Sequence, residues 1–323
     1  MNKKGLSFLV VSLLLLAAII FSALTGSIRV SLVELVQGLF SGQNGDVQVI
    51  KDLRLPRIII AVFCGAALSV SGVLLQAVMR NPLAEPGIIG VSSGAGFVSL
   101  LMVGLFPTLF FYMPLFAFLG GALAFFLVYT FSWKSGLDPL RMILVGVAIH
   151  AVFTGLGQVV SFTGNPMSGI TTSTLAMKTW GDVQIMVIYG SIGLILAFIM
   201  YPLCNYLALE DKTAKSLGIN INGTRLMLSA IAVMLASVAT AVAGLFAFVG
   251  LLVPHIGRML VGTDHRALMP FSALLGALLI LLADTLGRTM MAPNEIPASI
   301  LMALIGGPFL IILLRKSDRI AGN

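Results

Sequence analysis

Residues 53–79, LRLPRIIIAVFCGAALSVSGVLLQAVM, decide the fold class of this chain. Beyond Arg57 the segment 58–79 contains no charged side chain, and a helix needs about 20 apolar residues to cross a bilayer. The rest of the chain has the same character, because 59% of its 323 residues are apolar and only 10% are charged. A soluble domain carries roughly 25% charged residues. The sequence therefore predicts an all-α protein that crosses a membrane many times.

Nine apolar segments are long enough to be ordinary spans. The first follows a basic N-terminus and exceeds the roughly 7–15 apolar residues of a signal peptide, so we predict that it is retained. A tenth segment, 249–262 (VGLLVPHIGRMLVG), is shorter and more polar. It is predicted to be either a broken span or a re-entrant segment, because irregular backbone at membrane depth must be buried in protein or line a cavity. The nine are about 6–24, 58–79, 87–106, 109–131, 140–161, 185–208, 226–248, 267–290 and 297–314.

The distribution of Lys and Arg predicts the orientation of the chain, since cytoplasmic loops carry an excess of both. If 249–262 counts as a span and the N-terminus is cytoplasmic, thirteen of the 19 Lys and Arg residues fall inside, and the C-terminus is cytoplasmic too. With nine spans this bias weakens, so we predict ten. The net charge of +7 then reflects membrane topology and does not indicate a nucleic-acid partner. The six cations that fall outside are Arg29, Lys51, Arg54, Arg57, Lys178 and Arg288.

Three of these outer arginines, Arg54, Arg57 and Arg288, are candidates for binding a partner. They could pair with Asp52 and Asp284 nearby in the chain, or extend along the membrane surface. Alternatively they form a basic rim that receives an acidic protein, because a guanidinium binds a carboxylate through two parallel hydrogen bonds. The residues alone leave both interpretations open.

The largest inner loop, 208–226 (ALEDKTAKSLGININGTRL), is polar. Glu210 and Asp211 precede two lysines, an order that complements a helix dipole. Gly218 follows Leu217 as a C′ glycine would. These features predict a short helix over 210–217, then a turn and a second short stretch, NGTR. The loop is either a helical knob that inserts into a soluble partner or merely a well-capped connection.

Two other inner loops could close the inner mouth of a pathway. They are MRNPLAEPG (79–87) and SWKSGLDPLRM (132–142). Within the first, Asn81, Pro82 and Leu83 are the candidate gate residues, with Asn81 and Leu83 forming a constriction.

Ionisable residues inside membranes usually mark function, and this chain has few. His150, His255 and Asp284 do not form a chain of carboxylates and imidazoles across the spans. A secondary transporter, which would need such coupling groups, is therefore only a distant alternative. The serines of SSGAGF (92–97) suit close helix packing better than an intramembrane hydrolase.

The chain carries no motif for an energy source or a metal. It has no phosphate loop of the type G-x-x-x-x-G-K-[ST]. Cys64 and Cys204 lack metal-ligand spacing and are predicted to be packed as small apolar residues. We predict no catalytic residue, metal or bound cofactor in this chain, so any energy must come from a cytoplasmic partner.

Three long stretches resemble the FecCD-type permeases, the membrane subunits of ATP-binding-cassette (ABC) importers for iron-siderophores, haem and cobalamin. LRLPRIIIAVFCGAALSVSGVLLQAVMRNPLAEPGIIGVSSGAGF (53–97) resembles their opening signature. GLFAFVGLLVPHIGRMLVGTDHRALMPFSALLGALLILLADTLGR (244–288) and NEIPASILMALIGGPFLIILL (294–314) resemble the second and the last. The likeness runs from about residue 10 to the end.

The resemblance implies a single permease domain over 1–323 with the ten-span fold of type II ABC importers, in a bacterial cytoplasmic membrane. It implies a second permease subunit, identical or paralogous, two ATPase subunits that bind the ATP, and an external binding protein docked at the three arginines. It implies that the loop 208–226 carries the helices that couple to the ATPase, and that 81–83 belong to the inner gate. Iron-siderophore is the expected cargo, with haem or cobalamin as the alternative. The coupling residues that it implies are Glu210, Asp211, Ala214, Leu217 and Gly218.

Overall fold

The structure is a computed structural model that describes residues 3–26, 34, 45–132, 139–162, 175–291 and 294–321. Arg29 and most of the predicted inner loop 132–142 lie outside the described residues. Within the described ranges all regular elements are helical, as predicted. They are α1 (Lys3–Leu24), α2 (Gly45–Val49), a π-helical turn (Ile50–Arg54), α3 (Leu55–Met79), α4 (Val91–Leu105), a 3₁₀ turn (Pro107–Tyr112), α5 (Met113–Ser132), α6 (Pro139–Phe162), α7 (Trp180–Ile199), α8 (Tyr201–Leu207), α9 (Asp211–Ser216), α10 (Ile221–Ala243), α11 (Val249–Val261), α12 (His265–Met290) and α13 (Ala298–Ala321).

Each of the ten predicted apolar segments corresponds to a helix. In the described part of the chain, seven helices are long and apolar enough to cross a membrane. Three shorter apolar helices, α4, α11 and the first part of α13, complete the set. The ambiguous segment 249–262 is a helix, α11, of 13 residues.

Several predicted boundaries were wrong, and three of the differences bear on the site. Helix α4 begins at Val91 rather than near residue 87, because the preceding loop folds into the protein. Helix α10 begins at Ile221, since the Asn220 side chain accepts a hydrogen bond from Gly223 N and caps it. The stretch NGTR is thus the first turn of α10 and not a separate element. The predicted span 185–208 is divided at Met200, between α7 and α8.

The centre of the bundle consists of α3, α10 and α12, most of whose residues are buried, whereas most of α1 and α6 is exposed. Glycine allows the central helices to approach closely. A Cβ built on Gly65 of α3 would lie 2.1 Å from the carbonyl oxygen of Gly276 in α12. A Cβ on Gly72 would lie 2.0 Å from the carbonyl oxygen of Gly250 in α11. Lipid provides no hydrophobic driving force between helices, so close van der Waals packing at such small residues stabilises their association.

The bundle has two ends, which we name after the arginines at the two ends of α3. At the Arg57 end, the end of α1 meets Arg54 and Arg288 through backbone carbonyl groups. At the Arg80 end, the start of α1 lies near the end of α11, because Lys4 Nζ is 3.8 Å from a Cβ built on Gly262. Helix α9 lies at this Arg80 end as well. The N-terminal basic residues and the polar loop 208–226 therefore share one end, opposite the three arginines.

Two irregular segments enter the bundle instead of crossing it. The loop 81–90, between α3 and α4, buries Ala84, Glu85 and Ile89 to 2% exposure or less. The segment 244–248, between α10 and α11, starts with Gly244 at φ 84° and ends with Phe248 at φ 67°. Both segments are surrounded by protein, as irregular backbone at membrane depth requires.

Candidate functional site

At the Arg57 end, Arg57 is held between two carboxylates. Its Nε and Nη2 donate to the carboxylate of Asp284 on α12 at 2.8–3.0 Å. Its Nη1 donates to Glu295 at 2.9 Å. Asp284 is 2% exposed and Glu295 is 42% exposed. The pairing of Arg57 with Asp284, which the sequence left open, is therefore formed. It uses the same guanidinium N–H groups that would otherwise bind a carboxylate of a partner protein.

The other two arginines join α1 to the central helices. Arg288 Nη1 donates to the carbonyl oxygen of Thr25 at 2.8 Å, and its Nη2 donates to Ser22 Oγ at 2.8 Å. Arg54 Nη1 donates to the carbonyl oxygen of Ala23 at 3.1 Å and is the least buried of the three. The structure thus brings all three arginines together. Their role in docking a binding protein stays a prediction, for which Arg54 has the most accessible position.

At the Arg80 end, α9 is the short helix predicted within the loop 208–226. It ends in a Schellman motif, with Gly218 N donating to Lys215 O at 2.9 Å and Ile219 N to Ala214 O at 3.2 Å. Gly218 has φ 79°, as expected of a C′ glycine. Ala214 is fully buried on the inner side of α9, and Leu217 is 60% exposed. The helix therefore presents an apolar side chain outward from the bundle.

Arg80 connects α9 to the predicted gate loop. It caps the end of α3 with φ 49°, a left-handed conformation, and begins the loop 81–90. Its Nε donates to the carbonyl oxygen of Leu207 at 2.7 Å, and its Nη2 donates to that of Leu209. These carbonyl groups close α8 and lead into α9. A displacement of α9 would consequently pull directly on the start of the loop.

The candidate gate residues form a turn inside this loop. Asn81 is 9% exposed, and its Oδ1 accepts a hydrogen bond from Leu83 N at 2.9 Å. Pro82 is exposed at the tip, and Ala84 N donates to Asn81 O at 3.1 Å. Asn81 therefore fixes the shape of the turn. A constriction at Asn81 and Leu83 stays a prediction, and residues 133–138 of the other inner loop lie outside the described residues.

Glu85 links the gate loop to α11. Its Oε1 accepts a hydrogen bond from the backbone N–H of Phe248 at 3.1 Å. Phe248 is the N-cap residue of α11, at the end where a helix has unpaired donors and a positive dipole. With 2% exposure, Glu85 is one of the most deeply buried acidic residues described. It acts as a helix cap supplied by another segment.

A second polar link joins α3 to α11. Gln76 Nε2 donates to the carbonyl oxygen of Gly250 at 3.0 Å, and Gln76 Oε1 accepts from Arg258 Nη2. These contacts and those of Arg80 and Glu85 tie α8, the loop 81–90, α3 and α11 to one another. We call the four residues Gln76, Arg80, Glu85 and Arg258 the linking network.

Three residues of the linking network, Gln76, Arg80 and Arg258, line a cavity of about 510 Å³ at the Arg80 end. Asn205 of α8 lines the same cavity. Its Nδ2 donates to Asp264 Oδ1 at 2.8 Å, and its Oδ1 accepts a hydrogen bond from His265 N at 3.1 Å. The backbone N–H of Arg266 and the amide of Asn205 lower the pKa of Asp264 below its usual value. The charged carboxylate thus ties α8 to the start of α12.

Two further cavities lie between α4, α6 and the segment 244–248, with volumes of about 470 and 300 Å³. Several buried polar atoms that line these cavities have no hydrogen-bond partner among the described residues. They include Ser92 Oγ, His150 Nδ1 and Thr240 Oγ1. His150, which the sequence left unassigned, faces the smaller cavity together with Glu85. The described residues hold no cluster of three or more potential metal ligands.

Sequence reasoning missed Arg80, Glu85 and Gln76 as functional candidates. The available signal was a single acid in LAEPG and a single arginine before Asn81, both in an otherwise apolar region. Their partners are backbone groups far along the chain, so no local pattern identifies them. Cys64 and Cys204 are buried free thiols, as predicted.

The comparisons with known proteins agree on one family. The model of the FecCD transport family matches residues 14–316. A protein of Staphylococcus aureus strain MSSA476, named "Probable heme-iron transport system permease protein IsdF", is 44% identical over 98% of both chains. The protein of the same name from strain Newman matches equally well.

Two solved structures have the same fold. An inward-facing conformation of a metal-chelate type ABC transporter is 31% identical, with a TM-score of 0.82 over 97% of this chain and 99% of that one. PsaBC of Streptococcus pneumoniae, solved with a Fab, has a TM-score of 0.61 over 87% of this chain and 95% of that one. Its 17% identity supports likeness of fold alone.

Proposed function

Because this chain belongs to the FecCD transport family, we propose that it is the permease subunit of an ABC importer that carries haem into a bacterial cell. The subunit breaks no bond in its cargo. ATP is bound and hydrolysed by a separate ATPase, and an external binding protein delivers the cargo.

The cargo assignment is supported by the relatives and not by any residue of the pathway. Relatives with 44% identity over nearly the whole chain bear a heme-iron name. This favours the haem alternative over the iron-siderophore that the sequence analysis preferred. The preference for siderophores came only from their frequency as cargo in such permeases.

The low burial of α6 supports a second permease subunit, identical or paralogous. Most of this helix is exposed, although it is as apolar as α5 and α7. Polar side chains on one side of it, Thr154, Gln158 and Ser161, line the cavity of about 470 Å³. A helix that is apolar on one side and polar on a cavity side suits a position beside a shared pathway. We therefore expect the pathway to run along α4 and α6, between two subunits.

The orientation follows from the charge distribution and from the segregation of the two ends. The Arg80 end, with Lys4 and α9, is cytoplasmic, and the Arg57 end faces outward. Cytoplasmic enrichment of Lys and Arg supports this assignment. The binding protein then meets Arg54 at the rim, and the two ATPase subunits meet one α9 in each permease.

The linking network is the observation on which the mechanism depends. An ATPase that moves α9 also moves the carbonyl groups of Leu207 and Leu209, to which Arg80 is bound. Arg80 transmits the motion to the loop 81–90, and Glu85 transmits it to the start of α11. Because packed cores switch between discrete arrangements, a small displacement at α9 suffices to rearrange the gate.

The experiment that tests this function reconstitutes the permease with its ATPase in vesicles and adds the cognate binding protein. Haem delivered to the ATPase side is measured by absorbance. We expect uptake only with ATP and a haem-loaded binding protein. Uptake with an ATPase-inactive partner would indicate a secondary transporter. ATP-driven uptake of a ferric siderophore but not of haem would leave the permease role intact and refute the cargo.

A further inference from the structure

His150 lies near the midpoint of α6 (Pro139–Phe162), on the side of the helix that lines two cavities. His150 itself lines the smaller cavity, and Thr154, Gln158 and Ser161 line the larger one. Steps of three or four residues place these four side chains on one side of a helix. A helix of this length spans a bilayer, so His150 is close to its middle. An ionisable side chain at that depth usually has a function.

The imidazole of His150 is not used by the fold in the part of the chain that the structure describes. Its Nδ1 is buried without a hydrogen-bond partner, and no described residue bonds to its Nε2. Glu85, the acidic residue that lines the same cavity, uses its Oε1 to accept the N–H of Phe248. The side chain of His150 is partly exposed, so the imidazole is available to a molecule in the cavity.

The backbone that carries His150 is fixed against the gate loop. A Cβ built on Gly90, which has φ 83°, would lie 3.2 Å from the backbone nitrogen of His150. A Cβ built on Gly146, one turn earlier, would lie 2.9 Å from the carbonyl oxygen of Ile88. The position of the imidazole therefore depends on the position of residues 88–90.

We propose that His150 binds the iron of haem as an axial ligand while the cargo passes along α6. The inference rests on the proposed haem cargo and names one contact that the cargo makes. A porphyrin supplies four nitrogen ligands, so a single imidazole nitrogen is enough to hold the iron, as in many haem proteins. In a ferric siderophore the oxygen atoms of the siderophore surround the iron and leave the imidazole no place.

The surroundings of His150 suit a flat aromatic ring. The larger cavity adjoins the smaller one, because Leu245 lines both. Phe97 and Phe153 line the larger cavity, with their ring centroids 5.8 Å apart. Aromatic side chains pack favourably against the faces of other rings. The two cavities thus place an aromatic wall beside a nitrogen that can bind iron.

The coordination bond is reversible and alters no bond within the haem. Nε2 donates its lone pair to the iron, and the imidazole proton stays on Nδ1. Because residues 88–90 pack against the turn that carries His150, a rearrangement of the gate loop also moves the ligand. The haem would then be released as the gate opens.

The test measures the affinity of the complete permease–ATPase complex in detergent for haem and for iron-free protoporphyrin. Haem is followed by its absorbance and the iron-free ring by its fluorescence. We expect His150→Gln to weaken haem binding at least about ten-fold and to leave the binding of the iron-free ring unchanged. His150→Met should recover part of the affinity, because a thioether also binds haem iron. Thr154→Ala, the matched loss of a polar group one turn along the same side, should change neither affinity.

Equal losses for haem and for the iron-free ring in His150→Gln would mean that His150 only supports the packing. Unchanged haem binding in that variant would exclude it as a ligand. If His150→Gln fails to fold, equal affinities of the wild type for the two porphyrins would overturn the proposal. The vesicle assay separates these results from the proposed function: haem uptake by the wild type, with normal haem binding by His150→Gln, refutes this inference alone. Absence of haem uptake by the wild type refutes the cargo as well.

Discussion

Arg57 of α3 and Asp284 of α12 form an ion pair in which Nε and Nη2 of the guanidinium each donate a hydrogen bond to the carboxylate. Both side chains are largely buried. The pair joins α3 to α12, two of the three central helices, at the Arg57 end. It also means that Arg57 has a structural task, whatever part it has in docking.

Replacing Asp284 with Asn should destabilise the protein strongly. The change leaves the Arg57 charge partly buried against a neutral group, and breaking a buried pair costs about 3–5 kcal/mol. Glu295→Gln is the matched control, because Glu295 is 42% exposed and exposed pairs contribute about 0–1 kcal/mol. Thermal unfolding of the purified subunit measures both. Equal shifts for the two variants would contradict the structural role of the pair.

Arg54→Glu should abolish uptake while leaving membrane insertion intact, and loss of its hydrogen bond to Ala23 O should cost about 1 kcal/mol of stability. The expected cause is repulsion of an acidic binding protein from the rim. Lys51→Glu makes the same charge change at an exposed position of the same end and should reduce uptake far less. Binding of the loaded binding protein to vesicles, measured alongside uptake, checks this. Normal docking by Arg54→Glu would exclude Arg54 from the interface.

Arg80→Gln should uncouple ATP hydrolysis from transport. Without the guanidinium, the carbonyl groups of Leu207 and Leu209 lose their link to the gate loop, so α9 can move without it. We expect ATPase activity in the complex to persist while uptake falls at least about ten-fold. Arg80→Lys retains the charge but cannot bond to both carbonyl oxygens as a guanidinium does. Its uptake should therefore lie between that of the wild type and that of Arg80→Gln. Parallel loss of ATPase binding and uptake would instead mean that Arg80 only supports the fold.

Two substitutions of Glu85 together distinguish an ABC importer from a proton-coupled secondary transporter. Glu85→Ala leaves the N–H group of Phe248 without its acceptor, which costs about 1–3 kcal/mol. Glu85→Gln keeps an acceptor oxygen, so stability and uptake should be largely preserved. If the carboxylate instead carried protons across the membrane, Glu85→Gln would stop uptake without altering stability. Unfolding and uptake assays on both variants separate the two cases.

The sequence was sufficient for the helices and their order, because apolar length and capping residues are local properties. Gly218 and the helix before it illustrate this, since the C′ position and the dipole pattern are read directly from the chain. The close contacts at Gly65 and Gly72 could not be predicted, because their partners Gly276 and Gly250 lie far along the chain.

The burial of each helix could not be predicted. Helices α3 and α6 have similar apolar character, yet one lies in the centre and the other at the surface, because the difference resides in their neighbours. The loop 79–87 was predicted to lie at the inner mouth of a pathway, but the burial of Ala84 and Glu85 could not be predicted, for the same reason. Its Glu85 is satisfied by α11, more than 160 residues away in the chain.

The central claim, that the Arg57 end faces outward and α9 faces the ATPase in the cytoplasm, can be tested directly by labelling. Single cysteines at Arg54 or Thr213 are introduced after the two native cysteines, both buried, are replaced by alanine. A membrane-impermeant maleimide is then applied to spheroplasts and, separately, to inverted vesicles. We predict that position 54 reacts only in spheroplasts and position 213 only in inverted vesicles. The reverse pattern would contradict the orientation, and with it the transport mechanism that depends on it.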